Sequence, residues 1–305
     1  MKFTTDFPIS KHNQPIDYDS SVLMLGSCFS QNIGDKFQYY GFDTVVNPFG
    51  VIFNPHSLWV LMEKSVSGNF TENDVCGNFS YLAHSQLDGN DSATTLLNLK
   101  TAGIWMKNQI ELSSHIIVTL GTAWIYELKA TGEIVANCHQ QPQALFEKRL
   151  LSIEKIQEAL EKMERLIKKV NPTAQIIYTL SPVRHTKDGM IENTRSKARL
   201  YEAIQQRCEK GENYYFPAYE LLMDDLRDYR FYAADMLHPN ATAVDYVWNR
   251  FRESVLHTNT LTTIKAVEKH RKLQDHRPKN NEAHKEQLIK SSILLQQKFP
   301  NLKLQ

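Results

Sequence analysis

Cysteine is scarce and scattered: the 305 residues carry four, Cys28, Cys76, Cys138 and Cys208, and none forms a CxxC pair. A structural zinc site needs close-spaced thiolates or imidazoles, and a disulfide framework needs denser cysteine, so the spacing argues for free thiols and neither metal nor cofactor. An excess of either charge is also missing, since 35 basic residues face 34 acidic ones for a formal net charge of +1. Nucleic-acid binding through a basic face is thereby disfavoured. No stretch approaches the roughly 18 apolar residues of a membrane span, and Met1 to Pro8 lacks an apolar core of signal-peptide length. The expectation is a soluble, cytoplasmic protein with no membrane partner, long enough for one large domain.

What the chain does contain is a series of short apolar runs that end in small residues. Val22 to Leu25 reads as a buried strand, Gly26 ends it, and Ser27 and Cys28 follow at once. Ile33, Phe37 and Tyr40 then recur at helical spacing. Such a strand-to-helix turn lifts a nucleophile to the carboxyl edge of a sheet, where the free N–H groups of the helix also point. Ser27 can equally be an N-cap and Cys28 a small buried side chain.

Further strands are expected at Gly41 to Val46, His115 to Gly121, Ile176 to Leu180 and Tyr214 to Phe216. Trp124 to Tyr126 reads as continuing the strand before it, with Gly132 turning the chain toward Ile134 to His139. Helices are expected from Pro55 through Met62, over Leu145 to Val170, from Ser196 to Cys208, over Glu220 to Leu226 and after Pro239. Ser67 to Ser92, rich in Gly, Asn, Asp and Ser, reads as a structured surface excursion. Alternating strands and helices predict a doubly wound α/β domain over 1–257 with a mostly parallel sheet, and ligands in such folds bind beyond the carboxyl ends of the strands. Residues 258–305 read as a helical extension broken at Pro278 to Asn281. Its stripe of Leu288, Ile289, Ile293, Leu294 and Phe299 either packs on the domain or joins two copies into a homo-oligomer.

Asp235 and His238, three apart before Pro239, can share one turn, with the carboxylate fixing the tautomer of the imidazole. Gly26-Ser27-Cys28-Phe29-Ser30, Asn47-Pro48-Phe49-Gly50, Leu120-Gly121-Thr122-Ala123-Trp124, Ser181-Pro182-Val183-Arg184-His185 and Asp235-Met236-Leu237-His238-Pro239 together resemble the GSCFA-domain family. Their order is similar to that of the four sequence blocks of the SGNH (GDSL-type) hydrolases. The resemblance covers about residues 1–255. It implies a flavodoxin-like three-layer α/β/α sandwich and esterase-type chemistry. Carried over by position, the nucleophile falls on Cys28 with Ser27 before it, Asp235 and His238 are the orienting acid and base, and Gly50 N–H and Cys28 N–H line an oxyanion hole.

The third oxyanion donor of that superfamily is an asparagine, and the matching position here is Ala123. Asn47, Gly121, Asn137, His139, Arg184 and His185 follow expected strand ends and can supply polarity there. Arg184 either anchors an anionic part of a substrate or pairs with an internal carboxylate. A metal at Cys138-His139 is disfavoured, because neighbours in a strand face opposite ways. A thiol at a helix start near a histidine is expected to have a lowered pKa. The expected activity is hydrolysis or transfer of an acyl group from an ester or thioester, with acetylated glycans and coenzyme A thioesters as candidate substrates. The alternative is a catalytically silent module that binds a small ligand or glycan on the same fold.

Overall fold

Along the first strand, β1 (Ser21–Gly26), side chains alternate between two apolar environments. Val22 and Met24 enter one cluster and Leu23 and Leu25 the other. β3 (His115–Leu120) and β7 (Gln175–Leu180) alternate in the same way, with Ile117 and Ile177 on the first side and Val118 and Tyr178 on the second. A strand that is apolar on both faces belongs inside a parallel sheet covered by helices on both sides. The computed structural model, which describes residues 5–211, 213–276 and 281–304, has that arrangement. Five parallel strands lie in the order β2 (Asp43–Val46), β1, β3, β7, β8 (Asn213–Phe216). This is the flavodoxin-like order, and the chain is an α/β/α sandwich.

One face is covered by α2 (Pro55–Ser67), α3 (Ser92–Leu112), α4 (Ile153–Val170) and α5 (Met190–Cys208), through side chains such as Leu61, Met106, Leu160 and Leu200. The other carries α1 (Cys28–Tyr39), with Phe29, Ile33 and Phe37, and α7 (Ala241–Val255), with Trp248 and Phe251. A short α6 (Ala218–Glu220) runs on into a wider helical turn at Leu221–Asp225. Phe70, in the Ser67 to Ser92 excursion, is buried in the second core.

Two sequence expectations are corrected. Trp124 to Tyr126 does not prolong β3. It forms β4 (Trp124–Leu128) of a separate antiparallel sheet, flanked by β5 (Ile134–Val135) and β6 (Phe146–Leu150). The expected helix from Leu145 therefore starts later, at Ile153, where Ser152 Oγ accepts from Lys155 N (3.3 Å). Phe146 to Leu150 carries three charged residues in a row, Glu147 to Arg149, so no strand period shows in it, and the long helical pattern behind it absorbed it. α5, conversely, begins before Ser196.

The carboxyl-terminal segment forms α8 (Thr260–Asp275) and α9 (Asn281–Lys298), joined by a hydrogen bond between His270 Nδ1 and Ser291 Oγ (2.9 Å). Ile264 and Val267 are fully buried in the cluster that holds Trp248, and Leu295 and Leu302 join it. His257 N donates to Ile16 O (2.8 Å), so the backbone continues in contact with the domain across that point. Of the apolar stripe expected on α9, Ile289, Ile293 and Leu294 are exposed, and Leu295 faces inward instead. Pro278 to Asn280 lie outside the described residues. Among the described residues no helix is long and apolar enough to cross a membrane.

Candidate active site

Gly26 holds the turn between β1 and α1. Its φ is +123°, and a Cβ there would lie 2.0 Å from Thr119 O, so backbone approaches backbone where no side chain fits. That approach lets Ser27 N donate to Thr119 O (3.0 Å). Ser27 is fully buried and caps α1, its Oγ accepting from Phe29 N (3.3 Å). Cys28 is the first helical residue and is only partly buried, so its side chain is more accessible than that of Ser27. Its N–H has no acceptor within the helix. The expected lowering of the thiol pKa is corrected. Burial is the largest influence and pushes Cys28 up, against the neighbouring N–H groups and Lys197, which favour the thiolate, while Asp235 adds to the rise.

Asp235 and His238 form the expected pair. Asp235 Oδ2 accepts from His238 Nδ1 (2.6 Å), and Oδ1 accepts from Leu237 N (2.9 Å) and His238 N (3.0 Å). These hydrogen bonds, the backbone ones first, pull the Asp235 carboxyl down to about 2. Met236 takes φ +59° so that the turn can close, and Asn240 caps α7 behind it, accepting from Ala243 N (3.1 Å). With Nδ1–H directed at the carboxylate, His238 keeps Nε2 as its acceptor.

Lys197, which the sequence reading did not single out, completes the cluster. It is 2 % exposed on α5, and its Nζ donates to Ser181 O (2.6 Å). Burial first, and then Arg184, bring it down to about 7, while the thiolate of Cys28 opposes the fall. His185 packs edge-on to Phe53 at 4.7 Å and is pushed down to about 4, chiefly by burial and then by Lys197, so it is neutral near pH 7. Its Nε2 is buried with no hydrogen-bond partner among the described residues, and a Cβ on Gly121 would lie 3.2 Å from it. Arg184 makes only long contacts, to Thr194 Oγ1 (3.5 Å) and Tyr219 Oη (3.4 Å). Among the described residues no carboxylate pairs with it. A signal for Lys197 does exist: Asn193, Ser196 and Lys197 stand at i, i+3 and i+4 on the stripe that Leu200, Ala203 and Ile204 continue as buried core.

Other candidates are engaged elsewhere. Gly50 N donates to Asn47 O (2.8 Å) and Gly121 N to Phe53 O (2.8 Å), so neither is a free oxyanion donor in this structure. Ala123 is fully buried, its N–H donating to Ser196 Oγ (2.7 Å). Asn47, at φ +43°, accepts from Gly26 N through Oδ1 (2.8 Å), and its buried Nδ2 has no partner among the described residues. His139 Nε2 is directed at Ser80 O (2.7 Å) and Ala83 O (3.2 Å), with Nδ1 at 3.3 Å from Asp88, and its ring stacks on Phe79. It ties down the excursion that brings His84 against Gly50 rather than joining the thiol. No group of three or more His, Cys, Asp or Glu side chains among the described residues could hold a metal ion.

Comparison with solved structures finds similarity to an acetyl xylan esterase from the rumen bacterium Butyrivibrio proteoclasticus, at 13% identity and a TM-score of 0.37. The match covers 79% of this chain and 65% of that one, so the chain spans less than two thirds of that protein's length. No curated protein matches. A family model matches residues 21–251, from the first residue of β1 to within α7, and the protein is therefore a member of the GSCFA family.

Proposed function

We propose that the protein hydrolyses or transfers acyl groups through Cys28, with His238 as general base and Asp235 as the residue that orients it. The observation that carries this reading is the convergence of a helix-start thiol, a carboxylate-held imidazole and a buried lysine at the carboxyl edge of the sheet. His238 takes the thiol proton and the thiolate attacks the acyl carbonyl, forming a tetrahedral oxyanion. Collapse expels the alcohol or thiol, protonated by His238, and leaves an acyl-enzyme that water or an acceptor hydroxyl resolves. Cys28 N–H is the oxyanion donor of the turn, and Asn47 Nδ2 is an unspent donor buried beside Gly26. A thiol suits exchange between thioester and hydroxyl, so acetylated glycans and coenzyme A thioesters are the substrate classes to screen first.

A panel of p-nitrophenyl acyl esters and acyl thioesters tests the reading. Cys28→Ala and His238→Ala are expected to abolish turnover with little change in melting temperature. Ser27→Ala is expected to keep activity and lose roughly 1 kcal/mol of stability with its cap. An active Cys28→Ala beside a dead Ser27→Ala would move the nucleophile to Ser27. The binding-module reading is favoured by one observation, the engagement of Gly50 N–H and Gly121 N–H together with Ala123 at the asparagine position. It predicts no turnover on any member of the panel.

A further inference from the structure

Two cations share one aromatic platform beside the thiol. Arg184 Cζ lies 6.0 Å and Lys197 Nζ 5.9 Å from the centre of the Tyr219 ring. Lys197 is within electrostatic reach of Cys28 on one side and of Arg184 on the other. The carboxylates around them are committed. Asp235 holds His238, Asp188 pairs with Lys148, and both oxygens of Glu220 accept from Tyr215 Oη at 2.9 Å. Among the described residues Lys197 Nζ donates to Ser181 O alone, and Arg184 makes two long contacts to hydroxyls. Lys197 is buried and Arg184 half-buried with no carboxylate paired to either among the described residues, and an incoming anion would favour the charged form of the lysine.

We infer that Arg184 and Lys197 form an anion subsite next to Cys28, which selects acyl donors or acceptors carrying a carboxylate or phosphate group. Arg184 offers a planar fork for two oxygens of the anion, and Lys197 offers a point charge behind it. Tyr219 holds both in place, and the unpartnered Nε2 of His185 adds polarity to the same wall. The inference deepens the proposed function and rests on Cys28 being the reactive thiol of that site.

Alkylation separates the subsite from catalysis. The full-length protein is treated with iodoacetate or iodoacetamide at neutral pH, and the rate at Cys28 is followed by peptide mass. In both reactions the thiolate forms a new S–C bond and iodide leaves, so thiolate fraction cancels in the ratio of rates and only the charge of the reagent differs. The iodoacetate-to-iodoacetamide ratio is expected to be about tenfold higher at Cys28 than at exposed Cys76 in the same sample. Arg184→Gln and Lys197→Met should each lower that ratio several-fold, and Arg184→Lys should restore part of it. Succinate and inorganic phosphate are added as competitors, and the one that slows iodoacetate more identifies the anion. Equal ratios at Cys28 and Cys76 would overturn the inference, as would a Cys28 that neither reagent modifies in the folded protein. Anion preference without turnover of any acyl ester removes the catalytic reading and leaves the subsite, whereas turnover without preference does the reverse.

Discussion

Lys197 is the residue at which burial and chemistry meet most directly. Its charged form is penalised in the folded chain, so its folded pKa of about 7 lies below that of the unfolded lysine. The unfolded state then binds more protons between those two values, and stability rises with pH across that window. The destabilisation is full below about pH 7 and fades as the pH climbs toward the unfolded lysine value. Lys197→Met is accordingly expected to gain stability relative to wild type as the pH is lowered from alkaline to neutral, measured by melting temperature across the series. A constant offset between the two proteins would mean that Lys197 keeps an ordinary pKa. In the sequence, Gly26, Ser27, Cys28, Asp235 and His238 were readable because each acts within one turn, where local spacing fixes geometry. Lys197 was not, because a lysine on a helix reads as a solvated side chain until the packing of α5 on β7 is known. The availability of Gly50 N–H and Gly121 N–H was equally hidden, since their acceptors, Asn47 O and Phe53 O, are set by how separate loops meet.

At the scale of elements, α5 joins the two sheets. Ser196 Oγ accepts from Ala123 N (2.7 Å) and bonds Thr122 Oγ1 (3.1 Å), fastening the start of β4 to the helix that carries Lys197. Ser196→Ala leaves a buried N–H unpaired and should cost about 1–3 kcal/mol in chemical unfolding. It should also reduce turnover, because it loosens the helix behind the site. No change in either would show that water takes over the bond. The central strands β1, β3 and β7 were legible because each is apolar on both faces and ends at or just before a glycine or serine. β4, β5 and β6 were obscured by their mixed polarity and by a helical period that follows directly.

For the whole molecule, the sandwich has unequal faces. One is closed by four helices, and the other by α1 and α7 with α8 and α9 packed across them. A chain ending at His257 keeps all five parallel strands and every candidate site residue, yet it uncovers the pocket filled by Ile264, Val267, Leu295 and Leu302. At roughly 1.5–3 kcal/mol per buried aliphatic side chain, an upper estimate, the truncated protein should fold with a loss on the order of 5 kcal/mol. Denaturant titration of the two chains checks this, and equal midpoints would make the extension an independent appendage. The domain was visible in the sequence through its strand and helix alternation. The docking of the extension was not, because Ile264 and Val267 are isolated apolar residues in a polar stretch.

The order in which the strands leave the ribosome separates the two halves of the chemistry in time. β1 lies between β2 and β3, so the turn that carries Cys28 has its flanking strands once synthesis has passed Leu120. His238 is made only after β8, the last strand of the sheet. On the proposed mechanism the thiol is therefore synthesised before the base that activates it. The proposed base is thus made only after every strand of the parallel sheet that carries the thiol.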